Sequence, residues 1–106
     1  MFKVINDKGF QLTFNNGLTI SVMFGQGNYC DSRMHNINNG HLGIHECVSA
    51  EIAIWDANDV WLNFGHDTVK GYCDADNVAN WITIVSEAKS LESLQQQVKT
   101  LNKLMQ

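Results

Sequence analysis

Apolar and polar residues alternate along Phe10-Gln11-Leu12-Thr13-Phe14 and again along Leu18-Thr19-Ile20-Ser21-Val22-Met23-Phe24. A period of two marks strands with one buried face, and Asn15-Asn16-Gly17 between the runs marks a hairpin turn. A two-residue Asn-Gly turn would pair Asn15 with Leu18 and set Thr19 and Ser21 on the face of Phe14 and Leu12. A three-residue loop pairs Phe14 with Leu18, Leu12 with Ile20 and Phe10 with Val22, which leaves one face wholly apolar. The parity therefore predicts the three-residue loop, with Gly17 in the left-handed conformation of a bulged turn. Met1 to Ile5 reads as a short additional edge strand.

Residues 50–64 read as a second hairpin. Ile52 and Ile54 lead into a turn at Asp56-Ala57-Asn58-Asp59, and Val60, Leu62 and Phe64 follow. Trp55 and Trp61 fall on the opposite parity, either packed beneath loops or forming an exposed aromatic surface. Between the two hairpins, residues 25–49 keep no sustained period and hold Gly25, Gly27, Gly40 and Gly43 among Asn, His and Ser. A loop of that length within a compact domain is usually functional or mobile.

From Asp74 the period becomes about 3.6. Asp74 suits an N-cap, and Asp76 stands in the first turn, where the helix dipole favours negative charge. Val78, Trp81, Ile82, Val85 and Ala88 form one apolar stripe fit to cover a sheet. Near Ser90 the phase shifts, and Leu91, Leu94, Val98, Leu101 and Met105 recur as a short heptad seam. Either one helix spans residues 75–105, roughly 45 Å at about 1.5 Å per residue, or it breaks at Ser90. The seam over 91–105 either folds back on the sheet or joins copies in a homo-oligomer, and the second is favoured. The expected architecture is a single α+β domain over residues 1–106. Residues 10–72 are mainly β, a small antiparallel sheet of two hairpins. A long C-terminal helix over residues 74–105 covers it, with a break near Ser90 left open.

Composition changes this picture little. The chain is 44% hydrophobic and 17% charged, ordinary for a globular domain, and no apolar run approaches a membrane span of roughly 18 residues. The net charge is −4 with seven Lys and Arg spread thinly, so no basic stripe exists to neutralise phosphates. That argues against duplex nucleic acid as a direct ligand. Three cysteines cannot all pair within one chain, and the first residues carry no signal-peptide core. A reducing cytoplasm with free thiols is the expectation.

Four arrangements of residues bear on chemistry. Cys30, His35, His41, His45 and Cys47 cluster in one loop, and imidazole with thiolate suits zinc. The spacing fits no standard zinc pattern, so no metal is expected. Cys30 with His66 and Asp67 could form a nucleophile and base after two strand ends, yet nothing local lowers the thiol pKa except a helix start near Cys73. No catalytic role is expected. Gly25-Gln26-Gly27 lacks the third glycine and following helix of a dinucleotide loop, but Asn28, Tyr29 and Arg33 place an amide, a ring and a guanidinium together as a binding patch. His66 and Asp67 lie in a second glycine-bounded loop, and Lys70 and Tyr72 widen that patch if both loops share one end of the sheet. Trp55 and Trp61 complete the candidate binding residues.

Leu12-Thr13-Phe14, Asn16-Gly17, Ile20-Ser21-Val22 and Phe24-Gly25-x-Gly27-Asn28-Tyr29-Cys30 resemble the start of a family of small bacteriophage and prophage proteins. Ala50-Glu51-Ile52-Ala53-Ile54-Trp55-Asp56, Trp61 and Gly71-Tyr72-x-Asp74-Ala75-Asp76-x-Val78 are similar to its second half. The resemblance covers about residues 10–88, and the family has no assigned activity. It implies a non-catalytic binding protein in the cytoplasm of a bacterial host. The leading expectation is an anti-CRISPR-like inhibitor that blocks an effector protein of a defence system. The alternatives are a sponge for a nucleotide immune signal, with a pocket near Tyr29, Arg33 and Lys70, or a self-assembling phage accessory protein. No cofactor is implied.

Overall fold

A computed structural model of the chain describes residues 1–6, 8–24 and 46–104. Five strands, β1 (Phe2–Ile5), β2 (Gly9–Thr13), β3 (Thr19–Met23), β4 (Ala50–Trp55) and β5 (Val69–Cys73), form one antiparallel sheet in chain order. Two helices follow, α1 (Ala75–Glu87) and α2 (Leu91–Leu104). The α+β class stands.

The first hairpin has the parity-derived register. Phe10 pairs with Val22 and Leu12 with Ile20, and Phe14 N–H donates to Leu18 O at 2.9 Å. Gly17 N–H donates to Phe14 O at 3.0 Å, and Gly17 sits at φ 85°, a conformation that glycine adopts without steric cost. β4 continues the ladder, with Ile54 opposite Ile20 and Ile52 opposite Val22. One face thus gathers Leu18, Ile20, Val22, Ile52 and Ile54, all essentially fully buried. On the other face, Thr13, Thr19, Trp55 and Trp61 line up strand by strand, and the two threonine hydroxyls share a 2.8 Å hydrogen bond.

The second hairpin is corrected. Residues 60–64 return beside β4 for a short stretch, with a bridge between Trp55 and Trp61 flanked by bonds from Leu62 N–H to Ile54 O at 2.8 Å and from Asp56 N–H to Val60 O at 3.0 Å. The backbone then leaves the ladder because side chains of α2 satisfy it. Asn63 N–H donates to Gln95 Oε1 and Gln95 Nε2 donates to Asn63 O, both at 2.8 Å, and Asn102 Nδ2 donates to Phe64 O at 3.0 Å. The rest of β4 pairs instead with β5, which the sequence pattern left unassigned. A bulge there, between the Ala50–Cys73 and Ile52–Lys70 pairs, inserts one residue into β5. Tyr72 lies in it at φ 56°, and Cys73 is returned to the core face.

The helix also differs from one continuous rod. Asp74 caps α1 as expected, its carboxylate accepting the Asn77 N–H at 2.8 Å. α1 lies across β3, β4 and β5 with Val85 buried and Val78, Trp81, Ile82 and Ala88 packed against the core. It ends where the Asn16 side chain intervenes. Asn16 Nδ2 donates to Val85 O at 2.8 Å and to Ala88 O at 2.9 Å, while its Oδ1 accepts the Leu18 N–H at 3.0 Å. One turn residue thus holds the hairpin and bonds two carbonyls at the helix end, where Val85 O also accepts the Ala88 N–H at 3.3 Å. Ser90 restarts the chain as α2, its Oγ accepting the Ser93 N–H at 3.0 Å.

Of the two alternatives for the heptad seam, its first three residues take the one that folds back. Leu91, Leu94 and Val98 are buried in the core of their own chain, beside Leu62 and Ile54. They are unavailable to a second copy. Leu101 is 57% exposed, and Met105 lies outside the described residues. Among the described residues, no helix is long and apolar enough to cross a membrane.

Candidate functional site

The two tryptophans come together. Their cross-strand pairing sets the rings at a 4.7 Å centroid separation and 27° between planes, with Trp55 half-buried and Trp61 43% exposed. The turn before them is tied tightly. Asp56 Oδ1 accepts the N–H groups of Asn58 at 2.9 Å and Val60 at 3.0 Å, and Asp59 adopts φ 60°. Val60 and Trp61 therefore project from a braced turn rather than a loose loop.

These two residues form one wall of a groove of about 490 Å³. The first half of α2 forms the other wall, with Ser90, Leu91, Glu92, Ser93, Gln95, Gln96 and Lys99. Leu91 is buried there. Gln95 is immobilised by its paired bonds to Asn63, which fixes the helix against the 60–65 segment. Glu92 and Lys99 stand seven residues apart on α2 and give the groove one charge of each sign. A half-exposed aromatic ring held by stacking loses little freedom on binding, which is the property of interface anchors.

The second glycine-bounded loop is a turn on the surface. His66, Asp67 and Lys70 are exposed, Asp67 O accepts the Phe64 N–H at 2.9 Å, and Asp67 Oδ1 accepts the Thr68 N–H at 2.6 Å. Asp67 thus serves the turn, and no bond to His66 is seen. Tyr72 is exposed on the bulge. Asn28, Tyr29 and Arg33 lie outside the described residues, as do Cys30, His35, His41 and His45 of the zinc reading. Among the described residues, no three His, Cys, Asp or Glu side chains gather as metal ligands.

A second, apolar cleft of about 370 Å³ lies between the sheet and the start of α1, lined in part by Phe10, Phe24, Val78 and Ile82. Cys47 and Cys73 both line it. Burial pushes the Cys73 thiol above its ordinary pKa, with Asp74 adding to the rise and Lys70 opposing it. That shift favours the protonated thiol, the opposite of what activates a nucleophile.

Sequence reasoning singled out Trp55 and Trp61 but missed the opposite wall, because Ser93, Gln96 and Lys99 carry no motif. A trace existed in Gln95 and Asn102. Both are amides on the flank of the apolar stripe, seven residues apart, and both bond the 63–64 backbone. No protein-family model matches this chain, and no curated protein or solved structure is significantly similar to it.

Proposed function

We propose that the protein acts by occupying a surface of another protein, with the groove between Trp61 and α2 as its binding face. The observation that carries this reading is the braced, stacked and half-exposed Trp61 beside Val60, Leu91, Glu92 and Lys99. Rigid aromatic anchors ringed by polar side chains supply most of the energy of protein interfaces. The target class comes from the resemblance to small bacteriophage proteins. On that reading the partner is an effector of a bacterial anti-phage defence system, inhibited by blockage in the host cytoplasm. The nucleotide-sponge alternative would use Tyr29, Arg33 and Lys70, of which Lys70 alone lies among the described residues, exposed on the surface.

The test is a plaque assay on bacteria carrying one defined CRISPR effector, with and without the expressed chain. Restored plaquing by the wild type and its loss in Trp61→Ala, with unchanged thermal melting, are the expected outcomes. Trp61→Ala as potent as the wild type removes the groove from the function. No restoration against any of a panel of defence systems removes the inhibitor reading. Native mass spectrometry of the chain purified from cells checks the sponge, which requires a nucleotide-sized added mass.

A further inference from the structure

Among the described residues β1 has a neighbour on one side only, because the sheet runs in chain order from β1 to β5. Met1 N donates to Thr13 O at 2.8 Å and Thr13 N–H donates to Met1 O at 2.9 Å, so these residues form a hydrogen-bonded pair. Such pairs alternate along an antiparallel ladder. The next one is Lys3 with Gln11, and the N–H and C=O groups of Phe2 and Val4 therefore point away from the sheet. Their side chains share the face of Leu12 and Phe10, their partners in register. The helical cover stops short of them, since α1 packs on β3, β4 and β5. Phe2 is 79% and Val4 77% exposed, beside a shelf of half-buried Phe10, Leu12 and Phe14. Lys3 projects from the opposite face.

We infer that the β1 edge is a strand-addition site for an extended peptide segment of apolar-acidic-apolar pattern. Its backbone would bond Phe2 and Val4, its apolar side chains would cover the Phe2–Val4 shelf, and its carboxylate would stand across from Lys3. Main-chain bonds supply affinity and alternate side chains supply selectivity in this binding mode. Charge decides the occupant. A second copy in the two-fold register that pairs Phe2 with Val4 would set Lys3 opposite its own counterpart, about 4.5 Å away between Cα atoms. Like charges so placed destabilise a ladder, and a lysine on an edge strand is a common guard against self-pairing. Centring on Val4 instead would draw Asn6 into the ladder, and Asn6 is held in the turn at φ 38°. The opposite edge offers no equivalent template, because the bulge at Tyr72 interrupts β5. This site is separate from the Trp61 groove and does not depend on it.

The experiment is an amide NMR titration of the full chain with two synthetic peptides, one centred on Val-Glu-Val and one on Val-Lys-Val, to millimolar concentration. The Glu peptide is expected to shift Phe2 and Val4 amides saturably and to bind about 3- to 10-fold more tightly than the Lys peptide. Lys3→Glu should reverse that order, and the exposed position makes the variant safe for the fold. Equal binding of both peptides, shifts centred elsewhere, or no shifts would overturn the inference. So would a wild-type dimer by sedimentation with Phe2 and Val4 amides protected from exchange, which would make a second copy the occupant.

Discussion

The same face of one sheet meets two fates. Over β3 and β4, Ile20, Val22, Ile52 and Ile54 are sealed beneath helices and inaccessible to water. Over β1, Phe2 and Val4 have the same side-chain direction and the same apolar character, yet remain more than three-quarters exposed. Alternation in the sequence specifies which way a side chain points. Whether anything lies above it is decided by how far the helices reach, and that depends on where they stop. α1 is stopped by Asn16, and α2 is drawn toward the 63–65 segment by Gln95 and Asn102. Polar side chains at three positions thus decide which apolar residues become core.

The comparison predicts its largest effect at the sealed end. Ile54→Ala removes a fully buried side chain between Ile20 and the helices and should cost about 2–5 kcal/mol in urea unfolding. Asn16→Ala comes next. It strips Val85 O and Ala88 O of a shared donor and Leu18 N–H of its acceptor, at about 1–3 kcal/mol. Loss of helical circular dichroism near the transition would locate the effect at the end of α1. Asp74→Ala should cost about 1 kcal/mol by removing the N-cap of α1. A cost as large as that of Ile54→Ala would mean that α1 depends on its start more than on its packing.

A smaller, pH-dependent effect belongs to Cys73. Its folded-state pKa is raised, chiefly by burial, so the folded protein resists losing that proton while the unfolded chain does not. Below the ordinary thiol range the group leaves stability level. As pH climbs through that range toward the raised value, stability should fall. Denaturation midpoints from neutral to alkaline pH check this, and Cys73→Ala should flatten the slope relative to the wild type.

Much of the core was legible in the sequence, and the reasons are physical. The register of the first hairpin followed from parity, since a shift of one residue would have turned Ile20 and Val22 to the wrong face. The cap at Asp74 and the stripe of α1 followed from local chemistry. The long-range polar contacts were not legible. Asn16 reaches carbonyls about seventy residues away, and nothing near Asn16 marks that partner. The false second arm of the hairpin had the same origin. Val60, Leu62 and Phe64 alternate like a strand, but the backbone of Asn63 and Phe64 is bonded by α2 side chains that no local pattern announces. The seam at Leu91, Leu94 and Val98 carried a genuine helical stripe whose partner proved to be the chain's own sheet. For the candidate site, parity placed Trp55 and Trp61 together off the apolar face, but their stacking appears only in the structure. The α2 wall depended on tertiary placement alone.

The smallest expected effect is the one that tests the comparison most directly. Phe2→Ala removes a larger side chain than Ile54→Ala does, from the same face of the same sheet. Were residue type and face sufficient, its cost would be the greater. Because Phe2 is exposed in the folded chain, little of its surface leaves water on folding, and the cost should stay within about 0.5 kcal/mol. Urea unfolding of the two variants side by side gives the contrast. A cost for Phe2→Ala approaching that of Ile54→Ala would show that the edge is covered in solution, and the dependence of that cost on protein concentration would tell why. A concentration-dependent cost identifies coverage by a second copy, whereas a constant one identifies coverage from within the same chain. A negligible cost leaves Phe2 and Val4 as apolar surface that folding does not require, which is the condition under which a partner strand has something to gain from them.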